Sequence, residues 1–108
     1  MTVREMADAL NLESIAVSDG ERTVSGGYAG DLLSWVMGRA QAGDAWVTIM
    51  SNPNTVAVAS LADVSCIVLA EGVRPDKGVA ETAMSRGVNI LGSEEPSFAL
   101  CVKIAALL

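Results

Sequence analysis

The chain has 108 residues, 13 acids against 7 bases for a net charge of −6, and a composition that is 51% hydrophobic but only 19% charged. That is the size of one domain with room for a core. The bases are scattered and leave no basic patch for nucleic acid, and no apolar run approaches the ~20 residues of a membrane span. There is no histidine, which excludes a Ser-His-Asp or Cys-His nucleophile system, a His-ligated metal and imidazole acid/base catalysis.

At the amino end, Met1–Glu5 carries acid early and lacks an apolar signal core, which points to the cytoplasm. Thr2 or a neighbour caps a first helix whose Val3, Met6, Ala7 and Leu10 recur at i, i+3, i+4 and i+7. Leu12–Val17 reads as a strand, Ser18-Asp19-Gly20-Glu21 as a turn and Arg22–Ser25 as extended chain, so 13–25 is expected to form a hairpin-like ribbon. The glycines at 26, 27 and 30 do not complete a dinucleotide fingerprint. Its first glycine is replaced by Ser25, and Asp31 competes for the amides that would hold pyrophosphate. They fit better as a close backbone approach or a bulge. Asp31 is expected to cap a helix with Leu32, Leu33, Val36, Met37 and Ala40 on one stripe and Trp35 off it, and Gly43 to end it.

Trp46–Met50 is a β-branched and aromatic run of strand length, followed by the turn Ser51-Asn52-Pro53-Asn54. Asn54 is the expected cap of an Ala-rich helix from Thr55 to Ala62. Ser65–Ala70 is a second strand with a Glu71-Gly72 exit, and Val73-Arg74-Pro75-Asp76 opens a helix with proline in its first turn. Val79, Ala80, Ala83 and Met84 are expected to face inward before Gly87 stops that helix. Val88–Leu91 is a third strand ending at Gly92-Ser93, and Ser93 is expected to cap the last helix, with Glu94, Glu95 and Pro96 in its first turn. From Phe98 to Leu108 only Lys103 is charged. A helix apolar on nearly all sides is buried on nearly all sides, and here that suggests a contact between subunits, a homodimer being the commonest. Cys66 and Cys101 lie among apolar neighbours and read as small buried hydrophobes of a reducing compartment.

The strand–helix–strand spacing implies parallel strands, whose carboxyl ends are where open α/β sheets bind ligands. Candidate ligand-binding residues are therefore Ser51, Asn52, Asn54 and Thr55 after the first strand, Glu71 and Gly72 after the second, and Gly92 and Ser93 after the third. The competing reading is that Asn54 and Ser93 only cap helices. The acids Glu71, Asp76, Glu94 and Glu95 argue against a multiply charged phosphate there. Tyr28, Trp35, Phe98 and Val102 are candidate partner contacts. No catalytic residue, metal ligand or cofactor is implied.

Tyr28-Ala29-Gly30-Asp31-Leu32-Leu33-Ser34-Trp35-Val36-Met37, Trp46-Val47-Thr48-Ile49 and Pro53-Asn54-Thr55-Val56-Ala57-Val58-Ala59-Ser60-Leu61 together resemble the DRTGG domain. Ile67-Val68-Leu69-Ala70-Glu71-Gly72 and Gly87-Val88-Asn89-Ile90-Leu91 continue the likeness, which spans nearly all of residues 1–108 as one domain. That family is similar to the amino-terminal domain of HPr kinase/phosphorylase and to a domain of Mur ligases. It occurs beside CBS modules in regulated pyrophosphatases and near phosphotransacetylase catalytic domains. The resemblance implies a three-layer α/β/α sandwich with a largely parallel sheet. It also implies a non-catalytic regulatory or ligand-sensing module that self-associates. Free-standing members are similar to small proteins found with anaerobic iron-hydrogenase or electron-transfer genes, which implies the alternative of an adaptor docked on a redox enzyme. Relatives carry histidine in a Thr-His-x-Asn-like turn where this chain has Asn52, so a ligand role for that position does not transfer.

Overall fold

The computed structural model describes residues 1–108. In chain order the elements are α1 (Val3–Leu10), β1 (Glu13–Ala16), β2 (Gly26–Ala29), α2 (Leu33–Arg39), β3 (Asp44–Thr48), α3 (Pro53–Ala62), β4 (Cys66–Leu69), α4 (Val79–Arg86), β5 (Ile90–Gly92) and α5 (Ser97–Leu107). They build one five-stranded sheet in the order β1-β5-β4-β3-β2, parallel throughout except for the antiparallel β1 edge. Helices cover both faces, so the architecture is the three-layer α/β sandwich the sequence implied. The three central strands run side by side in one direction, with Val47 beside Val68 and Val68 beside Leu91.

Strand alternation sorts the core into two halves. Ala45, Val47, Cys66, Val68 and Leu91 point to one face and pack with Val3, Met6 and Ala7 of α1 and Leu100 and Ile104 of α5. Trp46, Ile67, Leu69 and Ile90 point to the other and pack with Val36, Val56, Ala59, Val79 and Ala83 of α2, α3 and α4. The fully buried Trp46 indole keeps its donor satisfied, since Nε1 donates to the Gly30 carbonyl at 2.8 Å. Thr2 and Glu5 form the capping box that starts α1. The Thr2 amide bonds the Glu5 carboxylate and holds its pKa below the ordinary value.

Several sequence expectations fail, each for a local physical reason. The ribbon over 13–25 does not form: β1 and β2 lie at opposite edges of the sheet. Asn89 is what holds the intervening loop. Its Oδ1 accepts from the Ser18 and Asp19 amides at 2.9 and 3.0 Å, and its Nδ2 donates to the Asp19 and Ser65 carbonyls at 2.9 Å each. The strand instead uses the glycines, Gly26–Ala29, while residues 22–24 meet the amino-terminal segment through a Thr2–Thr23 bridge. Asp31 does not cap α2, which begins at Leu33 with no side-chain cap; its carboxylate is drawn to the end of β3. The Val73–Asp76 segment is loop, and α4 begins only after Gly78. On α4 only Val79 and Ala83 are buried, and Met84 is exposed. Likewise Leu32 and Met37 leave the expected α2 stripe for the surface. In the single chain α5 buries only Leu100 and Ile104, leaving Phe98 82% and Val102 54% exposed.

Asn89 and Cys66 each give a measurable consequence. Replacing Asn89 by leucine strands buried amides and carbonyls of the 18–19 loop and of Ser65. Asn89→Leu is expected to cost about 2–4 kcal/mol, read as a lower urea midpoint. Burial pushes the Cys66 thiol up from 9.0 to about 12, only slightly offset by Arg22. The folded chain then holds a proton that the unfolded chain loses above pH 9, so this group's contribution is full below that pH and falls as pH rises. The stability difference between wild type and Cys66→Ala should shrink above pH 9 by up to about 1.4 kcal/mol per pH unit. A constant difference would show that the thiol ionises freely in the fold.

Candidate functional site

The carboxyl ends of β3, β4 and β5 share one border, as the parallel register requires. The loops that follow them are stitched together by backbone. The Glu71 amide donates to the Glu95 carbonyl at 2.8 Å, Gly72 to the Ser93 carbonyl at 2.9 Å, and Asp76 to the Ser51 carbonyl at 3.0 Å. Glu71 and Gly72 both have positive φ, 61° and 73°. Glycine takes that conformation freely, and a glutamate takes it under strain. The turn they make brings the Glu71 carboxylate over the start of α5, where Oε2 accepts from the Ser97 amide at 2.8 Å.

Glu71, not Ser93, therefore serves the first turn of α5. Ser93 instead closes its own turn, its Oγ accepting from the Glu95 amide at 3.0 Å. At α3 the cap is Asn52 rather than Asn54: its Oδ1 accepts from the Asn54 and Thr55 amides at 2.9 and 3.2 Å, with Pro53 at the first helical position. Helix amides at this border are thus partly occupied by the chain's own oxygens. Asp31 adds a third such closure, accepting from Thr48 Oγ1 and the Ile49 amide at 2.8 and 3.0 Å.

The expected ligand residues divide into two groups. Gly72, Gly92 and Ser93 come together in a polar pocket of about 370 Å³, which Asn11, Glu13, Arg74, Glu94 and Glu95 complete. Glu71 sits beside it, engaged with α5. Ser51, Asn52, Asn54 and Thr55 belong to the β3 end and do not line that pocket. Thr55 is buried with its hydroxyl unpartnered, and Ser51 turns toward Asp76 at 3.4 Å. Asn11 and Glu13 were not anticipated. They arrive because β1 is antiparallel to β5, which brings the start of β1, and the end of α1 before it, beside Gly92; no local pattern announces that reversal.

The pocket is acidic in balance. Arg74 is engaged with Glu13 at 2.6 Å and Lys103 with Glu95 at 2.8 Å, which leaves Glu94 without a basic partner. A second, apolar cavity of about 250 Å³ lies between β2, β3 and α5, and contains Cys101, whose thiol pKa is raised by burial. Trp35 is 52% exposed on α2, with the Arg39 guanidinium 3.7 Å from its ring centre.

The sequence matches no protein-family model and no curated protein. Among solved structures it is similar to the CBS and DRTGG domains of the regulatory region of Clostridium perfringens pyrophosphatase, solved with the activator diadenosine tetraphosphate. The TM-score is 0.71 at 15% identity, over 95% of this chain and 45% of that one. The likeness is one of fold, and this chain spans less than half the length of its neighbour. It supports the DRTGG-like reading of the architecture and does not bear on HPr kinase/phosphorylase. The neighbour belongs to a regulatory region, not a catalytic one.

Removing the Glu71 carboxylate should loosen the junction that shapes the pocket. Glu71→Ala is expected to cost about 1 kcal/mol, the usual worth of a helix-start acceptor. Amide exchange should accelerate at Ser97 while that of β3 is unchanged.

Proposed function

We propose that this chain is a non-catalytic regulatory module that senses a small polar effector in the pocket beyond β4 and β5. The observation that carries the reading is the pocket itself. Its size suits a metabolite, it is built from Gly72, Gly92 and Ser93 at strand ends, and it sits on a fold shared with a regulatory region. The chemistry of the lining narrows the class. Glu13, Glu94 and Glu95 face it, and both nearby cations are already paired. A polyphosphate would be repelled, whereas an amine or a neutral nucleoside-sized molecule would find acceptors. The effector class thus differs from the tetraphosphate held by the Clostridium protein.

A second reading is favoured by Trp35. An exposed tryptophan stacked by Arg39, with Leu32 and Met37 also exposed on that helix, suits a docking surface for a larger protein. On this reading the chain is an adaptor of a redox enzyme.

Thermal denaturation with spermidine, arginine and adenosine, against ATP as the polyphosphate, separates the outcomes. At 100 times its dissociation constant an effector stabilises the fold by about 2.7 kcal/mol, a rise in Tm on the order of 10 °C at this size. The rise should be lost in Glu94→Gln and Ser93→Trp. If ATP alone shifts Tm, or if the shift survives both substitutions, the pocket assignment is wrong.

A further inference from the structure

The two edges of the sheet are not alike. The β1 edge is guarded: its register breaks between Ser14 and Ala16, and Glu13 is paired with Arg74. Bulges and charges of this kind are how edge strands avoid other chains. The β2 edge, Gly26-Gly27-Tyr28-Ala29, has no charge, no proline and an unbroken register with β3. That register, together with the Gly30 amide donating to the Val47 carbonyl, turns the backbone groups of Tyr28 and Gly30 toward β3. The amides and carbonyls of Gly27 and Ala29 therefore point out of the sheet, and both residues are exposed.

Beside this bare edge lies the apolar cavity, lined by Gly27, Ala29, Val47, Cys101, Ile104 and Ala105. Gly27 helps to open it, yet the fold itself does not require a glycine there. A Cβ would stand 3.5 Å from the Ala45 carbonyl oxygen, an ordinary contact, and φ is not positive. Along α5 the exposed apolar residues Phe98, Val102 and Ala105 extend the same surface.

We propose that the occupant of this edge is a second copy of the chain, paired antiparallel through β2 about a two-fold axis at Tyr28. In that arrangement Gly27 of each copy stands opposite Ala29 of the other, and their outward amides and carbonyls exchange four hydrogen bonds. The five-stranded sheet becomes ten-stranded, and the α5 helices meet over the two cavities. Charge selects this occupant. A chain of net charge −6 can meet its own copy only through a face free of carboxylates. Neither β2 nor the Phe98–Val102–Ala105 stripe carries one, and Lys103 is turned to Glu95. A face without either sign offers nothing to a partner chosen by charge. The interface is isologous, so it closes at two copies.

Sedimentation and concentration-dependent amide exchange test this directly. Wild type should sediment at twice 11.1 kDa. Raising its concentration should slow exchange at Gly27 and Ala29 at least tenfold, while Tyr28, already bonded to β3, changes little. Ala29→Pro removes an amide the fold does not use, an edge position where proline is tolerated. Val102→Lys alters only a surface side chain. Each should raise the dimer dissociation constant at least tenfold with an unchanged circular dichroism spectrum. A wild type that stays monomeric at its solubility limit overturns the proposal. So does a dimer that keeps its affinity in both variants, or one in which Gly27 and Ala29 exchange as fast as in the monomer.

Discussion

Burial of β4 on both faces is the constraint on which the other elements depend. Cys66, Ile67, Val68 and Leu69 are all at most 1% exposed, so neither side of this strand can meet water. A strand in that position needs a helix layer above and below. Its backbone must also be paired on both sides, which β3 and β5 provide. Once both are met, the crossovers α3 and α4 are confined to one face, because parallel neighbours need right-handed connections. The other face then falls to the chain's two ends, α1 and α5. The loops after β3, β4 and β5 are left together at one border, and any site of the doubly covered sheet has to be found there or at an edge.

The border is electrostatically unusual for its kind. Helix starts commonly attract anions because their first amides are free. Here Asn52 Oδ1 occupies two amides of α3, and the Glu71 carboxylate occupies Ser97 at the start of α5. These internal acceptors satisfy the helix starts, and the second adds negative charge. Arg74 and Lys103 are likewise committed to Glu13 and Glu95. What remains open to a visitor is a set of acceptors with Glu94 among them, which selects a donor-rich effector and disfavours phosphate.

The central strands were legible because a doubly buried strand shows itself as an unbroken apolar run, as in Ser65–Leu69, whatever its partners. Their common border followed from spacing alone. Helix starts were less legible: Asn52 and Asn54 flank the same proline, and only the backbone decides which side chain reaches the amides. Glu71 could not be read as an acceptor for α5, since its reach depends on a left-handed turn that a glutamate rarely adopts. The 13–25 ribbon failed because turn chemistry reports a reversal and not its partner; a buried amide 70 residues away, Asn89, claims the loop instead. For the same reason half of the pocket was invisible. Asn11 and Glu13 join Gly92 and Ser93 only through the antiparallel β1–β5 pairing. Exposure on α5 was misjudged because composition cannot distinguish a helix buried in its own chain from one whose apolar face is left open.

That helix also joins the two surfaces with functional readings. Its first turn is held by Glu71, and Lys103 reaches back to Glu95 at the rim of the polar pocket. Its later residues Cys101, Ile104 and Ala105 roof the cavity beside β2. Eleven residues of α-helix span roughly 16 Å as one rigid rod, so its ends cannot be repositioned independently. A molecule that competed for Glu95 would act on the Lys103 anchor of the same rod that covers the open edge. The physical link between pocket and edge is therefore a single helix, with no chain of side-chain relays through the core. This is the geometry a small regulatory module needs if a polar ligand at one corner of its sheet is to be felt at the other.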